Sequence, residues 1–191
     1  MEKDAVTLKD VQEAAKRLAS VVHKTPLESN HTFSTIAGHE VLLKLENMQR
    51  TGSFKVRGAS NCIQTLSPEK KACGVITASA GNHAQGVALG ASKAGIKSTI
   101  VMPEGAPLAK IEATRGYGAE VVLAGSVYDE AFAEAVRIQK ETGATFVHAY
   151  DNPAVIAGQG TIGLEILEQC PDIKAIVVPV GGGGLLAGVA A

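Results

Sequence analysis

The chain has 191 residues, of which 46% are hydrophobic and 19% charged, so it is long enough and apolar enough to bury a core. Its formal net charge of −1 and its 4% of aromatic residues, with no tryptophan, exclude a basic or base-stacking surface for nucleic acid. No apolar run reaches the roughly 18 residues that a membrane span needs. The charged start Met1–Asp4 predicts that there is no signal peptide.

Cysteine and histidine are few and scattered. Cys62, Cys73 and Cys170 are far apart and show no CxxC spacing, so we expect free thiols in a reducing compartment. The five histidines form no paired metal-ligand motif, and no metal site is predicted within these residues. These features predict a soluble cytoplasmic protein without nucleic-acid or membrane partners.

The first third of the chain predicts helices around one short strand. Thr7-Leu8-Lys9-Asp10 resembles a capping box and begins an amphipathic helix that ends before Thr25-Pro26. A short helix is predicted over His31–Ala37, a strand over Val41–Leu45, and a further helix from about Ser53 to Leu66.

From residue 74 onward, short β-branched strands alternate with helices, and Gly95, Gly118 and Gly143 stand where helices should end. Strands are predicted at Gly74–Thr77, Ser98–Val101, Glu120–Leu123, Thr145–His148 and Ala175–Val180. Helices are predicted at Asn82–Ala94, Leu108–Tyr117, Val127–Glu141 and Ala154–Gln169. Such alternation is typical of an α/β fold, with parallel sheets covered by helices on both faces.

Four successive glycines, Gly181–Gly184, follow the last predicted strand and precede an apolar helix that begins at Leu185. Glycine backbone without Cβ atoms can direct several N–H groups at one anion. No lysine or Ser/Thr follows at the Walker spacing, which favours a smaller phosphate held by the backbone. The helix has no polar end or cap before Ala191, so we expect the chain to be a piece of a longer protein.

A second small-residue loop, Ser79-Ala80-Gly81, joins a strand to a helix that begins with Asn82-His83. The free amides of such a helix start can bind a carboxylate. The alternative is an ordinary strand-to-helix loop with a Ser or Asn cap.

Lys55 is predicted in the first turn of a helix, where the helix dipole and burial would lower the pKa of its amine. A neutral lysine can form a Schiff base with a carbonyl cofactor, whereas the alternative is a solvated lysine near Arg57. A nucleophilic lysine, a carboxylate loop and a lysine-free phosphate loop are together the parts of a pyridoxal phosphate enzyme.

Three segments resemble the threonine dehydratase (threonine ammonia-lyase) and serine racemase group of fold-type II pyridoxal phosphate enzymes, which share the tryptophan synthase β-like fold. They are Ser53–Ala59, Ser79–His83 and Gly181–Leu185. Glu46–Arg50, Val101–Pro103 and Ala157-Gly158-Gln159-Gly160-Thr161 are also similar, so the resemblance covers nearly the whole chain. It is strongest to the short, catabolic type of threonine dehydratase.

The resemblance implies a role for each matching residue. Lys55 would form the Schiff base with pyridoxal 5′-phosphate and act as the base at the substrate Cα, with Phe54 beside the cofactor ring. Asn82 would bind the 3′ oxygen, and the phosphate would lie on Gly181, Gly182, Gly183, Gly184 and Leu185. The substrate carboxylate would lie on Ser79, Ala80, Gly81, Asn82 and His83.

The implied reaction is β-elimination, which converts L-threonine to 2-oxobutanoate and ammonia, and L-serine to pyruvate. Racemases of the group have a serine where this chain has Ala80, and alanine has no proton to exchange, which favours elimination.

The resemblance also implies a large cofactor-binding domain from residues 1–73 and 152–191 and a small mobile domain from 74–151, in a homo-oligomer, dimer or tetramer. The group facing the pyridine nitrogen and a divalent-cation site would lie beyond Ala191, so little or no activity is expected from the chain alone.

Two other classes stay open at this stage. Gly182–Ala187 matches the GxGxxA fingerprint of dinucleotide-binding oxidoreductases, although that reading leaves Lys55 and the Ser79–His83 loop unexplained. A scaffolding module that kept the fold without catalysis is the non-enzyme alternative.

Overall fold

The computed structural model describes residues 6–191, and the Met1–Asp4 segment behind the signal-peptide prediction lies outside them. The helices in this range are α1 (Leu8–Leu18), α2 (His31–Ala37), α3 (Lys55–Gln64), α4 (Pro68–Cys73), α5 (Asn82–Lys93), α6 (Leu108–Gly116), α7 (Tyr128–Thr142), α8 (Pro153–Gln169) and α9 (Gly184–Ala190). The strands are β1 (Leu27–Ser29), β2 (Leu42–Lys44), β3 (Val75–Ala78), β4 (Ser98–Met102), β5 (Glu120–Leu123) and β6 (Thr145–Phe146).

The capping box at the start of α1 is confirmed. The Thr7 hydroxyl accepts a hydrogen bond from the Asp10 amide, and the Asp10 carboxylate accepts one from the Thr7 amide. Two orphan amides are thereby satisfied. The apolar face of α1 then buries Val11, Ala14 and Leu18.

Four parallel strands form the main sheet in the order β5-β4-β3-β6. Alternate residues of the central strands face opposite sides. Val75 and Ile100 join the core that contains α5, whereas Ile76 and Val101 join the core under α7. Both faces are therefore covered by helices, which explains the unbroken apolar character of these strands. The predicted α/β class with a parallel sheet is confirmed.

The predicted strand Ala175–Val180 is wrong. Residues 174–180 have no regular secondary structure and no ladder partner among residues 6–191, and Val177 is 96% exposed. A strand exists only where a neighbour supplies hydrogen bonds, and an apolar run does not reveal its neighbour. Two elements were also missed: β1, which pairs antiparallel with β2, and the short helix α4.

Close helix packing positions α3 between α5 and α8, and glycines make the approach possible. A Cβ atom on Gly86 of α5 would lie 2.9 Å from the Lys55 carbonyl carbon. On the other side, a Cβ atom on Gly158 of α8 would lie 2.7 Å from Gly58 Cα. The helix that begins at Lys55 is thus fixed on two sides by backbone rather than by flexible side chains.

The predicted division into domains stays a prediction. Ala59 and Ile63 of α3 belong to the same hydrophobic core as Val75 and Ala84, which lie beyond the predicted boundary at residue 74. None of the helices in residues 6–191 combines the length and apolar character needed to cross a bilayer.

Candidate active site

Lys55 is the first residue of α3, so its predicted place in the first turn of a helix is confirmed. Its side chain is half-buried, its Nζ donates a hydrogen bond to the Ala149 carbonyl oxygen at 2.9 Å, and the same atom lies 5.3 Å from the centre of the Phe54 ring. Burial lowers the pKa of the Lys55 amine. A lowered pKa increases the fraction of neutral amine, the form that attacks a carbonyl.

One cavity of about 350 Å³ contains both Lys55 and the glycine loop. Every residue predicted to bind the cofactor lines it except Asn82: Phe54, Lys55, Gly181, Gly182, Gly183, Gly184 and Leu185. Sequence positions more than 120 residues apart are therefore brought together around one space of ligand size.

Tyr150 packs against the glycine loop and explains its composition. A Cβ atom on Gly182 would overlap the Tyr150 ring, and one on Gly184 would lie 2.8 Å from the Tyr150 carbonyl oxygen. Gly183 has φ = 83°, in the left-handed region that favours glycine. These three positions require glycine for steric or conformational reasons.

The loop Ser79-Ala80-Gly81 leads from β3 into α5 without a side-chain cap. Gly81 is the N-cap residue and offers no side-chain hydrogen bond, while the Ser79 hydroxyl accepts from the Gly81 amide at 3.3 Å. An ordinary capping loop would occupy the first amides of the helix with a side-chain oxygen. The geometry therefore favours the interpretation in which those amides serve a ligand.

His83 is buried, with 3% of its surface exposed, and its Nε2 lies 2.9 Å from the Val147 carbonyl oxygen. A carbonyl oxygen only accepts, so Nε2 carries the proton and Nδ1 is a bare acceptor. Burial lowers the pKa of His83 to about 4, which leaves the ring neutral near pH 7. The neutral ring therefore offers a carboxylate neither a positive charge nor a proton on Nδ1. If His83 helps to bind a carboxylate, it does so through its backbone amide.

The carboxylate loop is adjacent to Lys55 through the helices rather than through the cavity. Gly86, one turn after the start of α5, contacts the Lys55 backbone, whereas none of Ser79, Ala80, Gly81, Asn82 and His83 lines the cavity that holds the amine. Asn82 itself is exposed at the first position of α5. The structure thus groups Lys55 with the glycine loop in one cavity. The Ser79-Ala80-Gly81 loop begins α5, the helix that packs on the start of α3.

Besides Pro179 and Val180, which directly precede the glycine loop, three residues that line the cavity were not predicted as site residues. Ala149 supplies the carbonyl that orients Lys55, Tyr150 packs on the glycines, and Gln159 lies on α8. Only Gln159 carried a signal in the sequence, since it is the one large polar residue in Ala157–Thr161. Ala149 and Tyr150 are placed by tertiary packing alone.

Arg57, two residues after the cavity lysine in α3, is fully buried. Its guanidinium donates to both carboxylate oxygens of Glu46 at 2.8 and 2.9 Å and to both oxygens of Glu165 at 2.6 and 2.9 Å. Lys44 completes the cluster with an ion pair to Glu165 at 2.6 Å. Two positive and two negative groups thus join α3, α8, the end of β2 and the segment that follows β2.

The charges of this cluster are held by mutual contacts. Desolvation opposes the charge on Arg57, but hydrogen bonds and attraction from the two carboxylates outweigh it and raise the Arg57 pKa. Desolvation likewise opposes ionisation of Glu165, and the contacts with Arg57 and Lys44 nevertheless lower its pKa. Buried charges in this arrangement are paired and fully hydrogen-bonded, as stability requires.

Comparisons with known proteins identify the family of this chain. The family model described as "Pyridoxal-phosphate dependent enzyme" matches residues 10–191, and the chain belongs to that family. The L-threonine ammonia-lyase of Thermotoga maritima is 58% identical over 184 residues, which are 96% of this chain and 46% of that protein. The catabolic L-threonine dehydratase of Staphylococcus aureus (strain N315) is 55% identical over 186 residues, 97% of this chain and 54% of that protein.

Among solved structures, maize serine racemase superimposes with a TM-score of 0.94 at 41% identity, covering 97% of this chain and 56% of that one. The chain spans about half the length of the relatives it matches. The resemblance and the fold predicted from the sequence are confirmed. This family match decides against the dinucleotide-binding alternative, which left Lys55 and the Ser79–His83 loop unexplained.

The residues present fit pyridoxal phosphate. Lys55 offers a half-buried amine of lowered pKa, and Gly181–Gly184 with Leu185 form a loop in the same cavity that side chains would fill. Lys55 would hold the aldehyde end of the cofactor, the loop would hold its phosphate, and Phe54 would pack beside its ring. These individual roles stay predictions.

Gly184→Ala is expected to weaken binding of pyridoxal 5′-phosphate, because the added methyl group meets the Tyr150 backbone, which cannot rotate away. Overpacking of this kind costs about 1–3 kcal/mol. The dissociation constant from an absorbance titration measures the effect. Gly116→Ala in α6 is the matched control, since nothing lies within 4 Å of its added Cβ. Equal affinities in both variants would contradict the assignment of the loop.

Proposed function

We propose that this chain is the lysine-bearing part of a pyridoxal phosphate-dependent ammonia-lyase that converts L-threonine to 2-oxobutanoate and ammonia, and L-serine to pyruvate. The observation that carries the proposal is the shared cavity of Lys55 and the glycine loop. The names of the relatives from Thermotoga maritima and Staphylococcus aureus support threonine as the substrate.

The cofactor, when bound, supplies the electron-withdrawing ring that stabilises negative charge at the substrate Cα. The protein supplies the base. Lys55 Nζ accepts the Cα proton, and its lowered pKa makes the neutral amine available for that purpose. The Ala149 carbonyl, 2.9 Å from Nζ, holds the amine on the cavity side of α3.

The substrate carboxylate is held by the amides at the start of α5, which no side chain caps. Because the His83 ring is neutral and its Nε2 proton is bound to Val147, this site attracts an anion through backbone dipoles. Backbone donors are preorganised and keep the carboxylate in one orientation during the reaction.

Ala80 favours elimination over racemisation. Its side chain has no hydroxyl group, so this position offers no second acid or base for the opposite face of Cα. The serine racemase alternative is supported by the fold, which matches the maize enzyme, but this chain lacks a hydroxyl group at position 80.

A chimera tests the proposal. The chain is joined after Ala191 to the remaining part of the Thermotoga maritima L-threonine ammonia-lyase, and 2-oxobutanoate formation from L-threonine is measured. We expect activity in the chimera and little or none in the chain alone. A chimera that folds and binds the cofactor but turns over only to D-amino acids would contradict the proposal and favour the racemase.

We also propose a homo-oligomer, dimer or tetramer, in the cytoplasm. The support is the resemblance to this group of enzymes. Light scattering of the purified chimera measures the oligomeric state, and a monomer would contradict it.

A further inference from the structure

The chain segment 147–151, which follows β6, contacts two functional parts of the site. The Ala149 carbonyl oxygen accepts the hydrogen bond of Lys55 Nζ at 2.9 Å. Two residues earlier, the Val147 carbonyl oxygen lies 2.9 Å from Nε2 of His83, a buried residue in the first turn of α5. One short piece of backbone thus contacts both the reactive amine and the helix whose first amides are proposed to hold the substrate carboxylate.

The sheet itself holds little of this segment, because β6 is an edge strand. The strand order β5-β4-β3-β6 leaves β6 with one neighbour among residues 6–191, and its register with β3 ends at Phe146. The Val147 amide donates once more, to the Ile76 carbonyl at 2.9 Å. The chain then leaves the sheet, and the His83 imidazole is the side-chain donor that fixes the Val147 carbonyl just before Ala149.

Packing alone does not explain a histidine at position 83. Its side chain is 3% exposed, yet Nδ1 has no hydrogen-bond partner among the described residues. A buried polar atom without a partner costs about 1–3 kcal/mol, a cost that an aliphatic side chain would avoid. Burial also lowers the pKa of His83 to about 4, so near pH 7 the ring keeps a single proton, which it donates to Val147. This is the one hydrogen bond that the ring makes within residues 6–191.

From these contacts we infer that His83 is a positioning residue for Lys55. Its ring fixes the Val147 carbonyl, and the backbone that follows then holds the Ala149 carbonyl where that oxygen orients the amine. The inference rests on the proposed function, since the position of the amine matters for catalysis only if Lys55 carries the cofactor. The side chain of His83 thus serves the lysine, whereas its backbone amide is one of those proposed for the substrate carboxylate.

His83→Met and His83→Gln form a matched pair. Both new side chains are unbranched and similar in length, but only glutamine has a terminal N–H that can donate to the Val147 carbonyl. In the cofactor-loaded chimera, His83→Met should lower kcat for L-threonine by about 10- to 100-fold, the scale expected when a catalytic group is displaced by about 1 Å. KM should stay within about twofold of the wild type, because the backbone amides remain. His83→Gln should recover most of the rate.

Two further measurements do not depend on turnover. The rate at which pyridoxal 5′-phosphate attaches to Lys55, sampled by borohydride reduction and mass spectrometry, should fall in His83→Met and return in His83→Gln. Hydrogen exchange of the amides of residues 147–151 in the cofactor-free chimera should be faster in His83→Met alone, because the segment has lost a contact that holds it. Ile111→Val, which removes a buried methyl group from α6, controls for a general loss of stability and should match the wild type in kcat and attachment rate.

A raised KM with unchanged kcat in His83→Met would assign the ring to the substrate carboxylate and overturn the inference. Wild-type kcat, attachment rate and exchange in His83→Met would overturn it as well, and so would an equally large deficit in His83→Gln. If His83→Met is too unstable to assay, His83→Gln decides, since with the donor kept its attachment rate and exchange must match the wild type. If the wild-type chimera forms no adduct on Lys55, the proposed function itself fails, whereas faster exchange in His83→Met would still show that the ring holds the segment.

Discussion

Lys55→Met is expected to abolish covalent attachment of pyridoxal phosphate and to reduce threonine turnover by the chimera. Loss of the base alone lowers the rate by roughly 10²–10⁴-fold. Mass spectrometry after borohydride reduction should find the cofactor on Lys55 in the wild type and no adduct in the variant. Lys93→Met, at an exposed position of α5, should behave like the wild type in both measurements.

Unfolding measurements show whether this loss comes from misfolding. Burial lowers the Lys55 pKa in the folded chain, so the ammonium destabilises the fold fully below that folded-state pKa. The penalty disappears as the pH rises through the unfolded-state value, about 10.4. The stability of Lys55→Met relative to the wild type should therefore be most favourable at neutral pH and decline toward pH 11. An unfolded variant at neutral pH would contradict this account.

Arg57→Met is expected to lower the free energy of unfolding by about 3–5 kcal/mol, because it leaves the largely buried carboxylates of Glu46 and Glu165 with only Lys44 to balance them. Urea unfolding of the unliganded chain measures the loss. Arg137→Met is the matched control: Arg137 pairs with two glutamates on the exposed face of α7, and its loss should barely move the midpoint.

A double variant separates charge from packing. Glu165→Gln in the Arg57→Met background removes one of the unbalanced carboxylates, so part of the lost stability should return. Acid should also weaken the wild type. The lowered Glu165 pKa contributes stability above the unfolded value of that carboxyl group, and this contribution is lost as the pH falls through the folded value. Additive effects of the two substitutions would show that the cluster does not act as a unit.

The elements that the sequence predicted well carry their signals locally. The Thr7–Asp10 capping box, helix α2 over His31–Ala37 and strand β5 over Glu120–Leu123 agree with the structure residue for residue. Each depends on caps or side-chain alternation within a few positions. The strand prediction for residues 175–180 was wrong for the opposite reason, since strand formation depends on a partner that an apolar pattern does not identify.

The same distinction applies to the site. Glycine runs and a lysine at a helix start are visible in a sequence, and the structure brings Lys55 and Gly181–Gly184 into one cavity. Arg57 was considered only as a neighbour of a solvated lysine, yet it is the centre of a buried ion cluster whose partners lie 11 and 108 positions away. Contacts at such separations follow from packing and leave no local pattern.

The backbone-to-backbone approach of α5 and α8 onto α3 limits how the protein can diversify. A single methyl group at Gly58, Gly86 or Gly158 would displace the helix that begins at Lys55, so side chains at these positions cannot grow gradually in size. Variation in the shape of the cavity must therefore enter through lining segments that do not support that helix, such as Pro179-Val180. The helix that positions Lys55 and the cavity walls that can vary are thus separate parts of the chain.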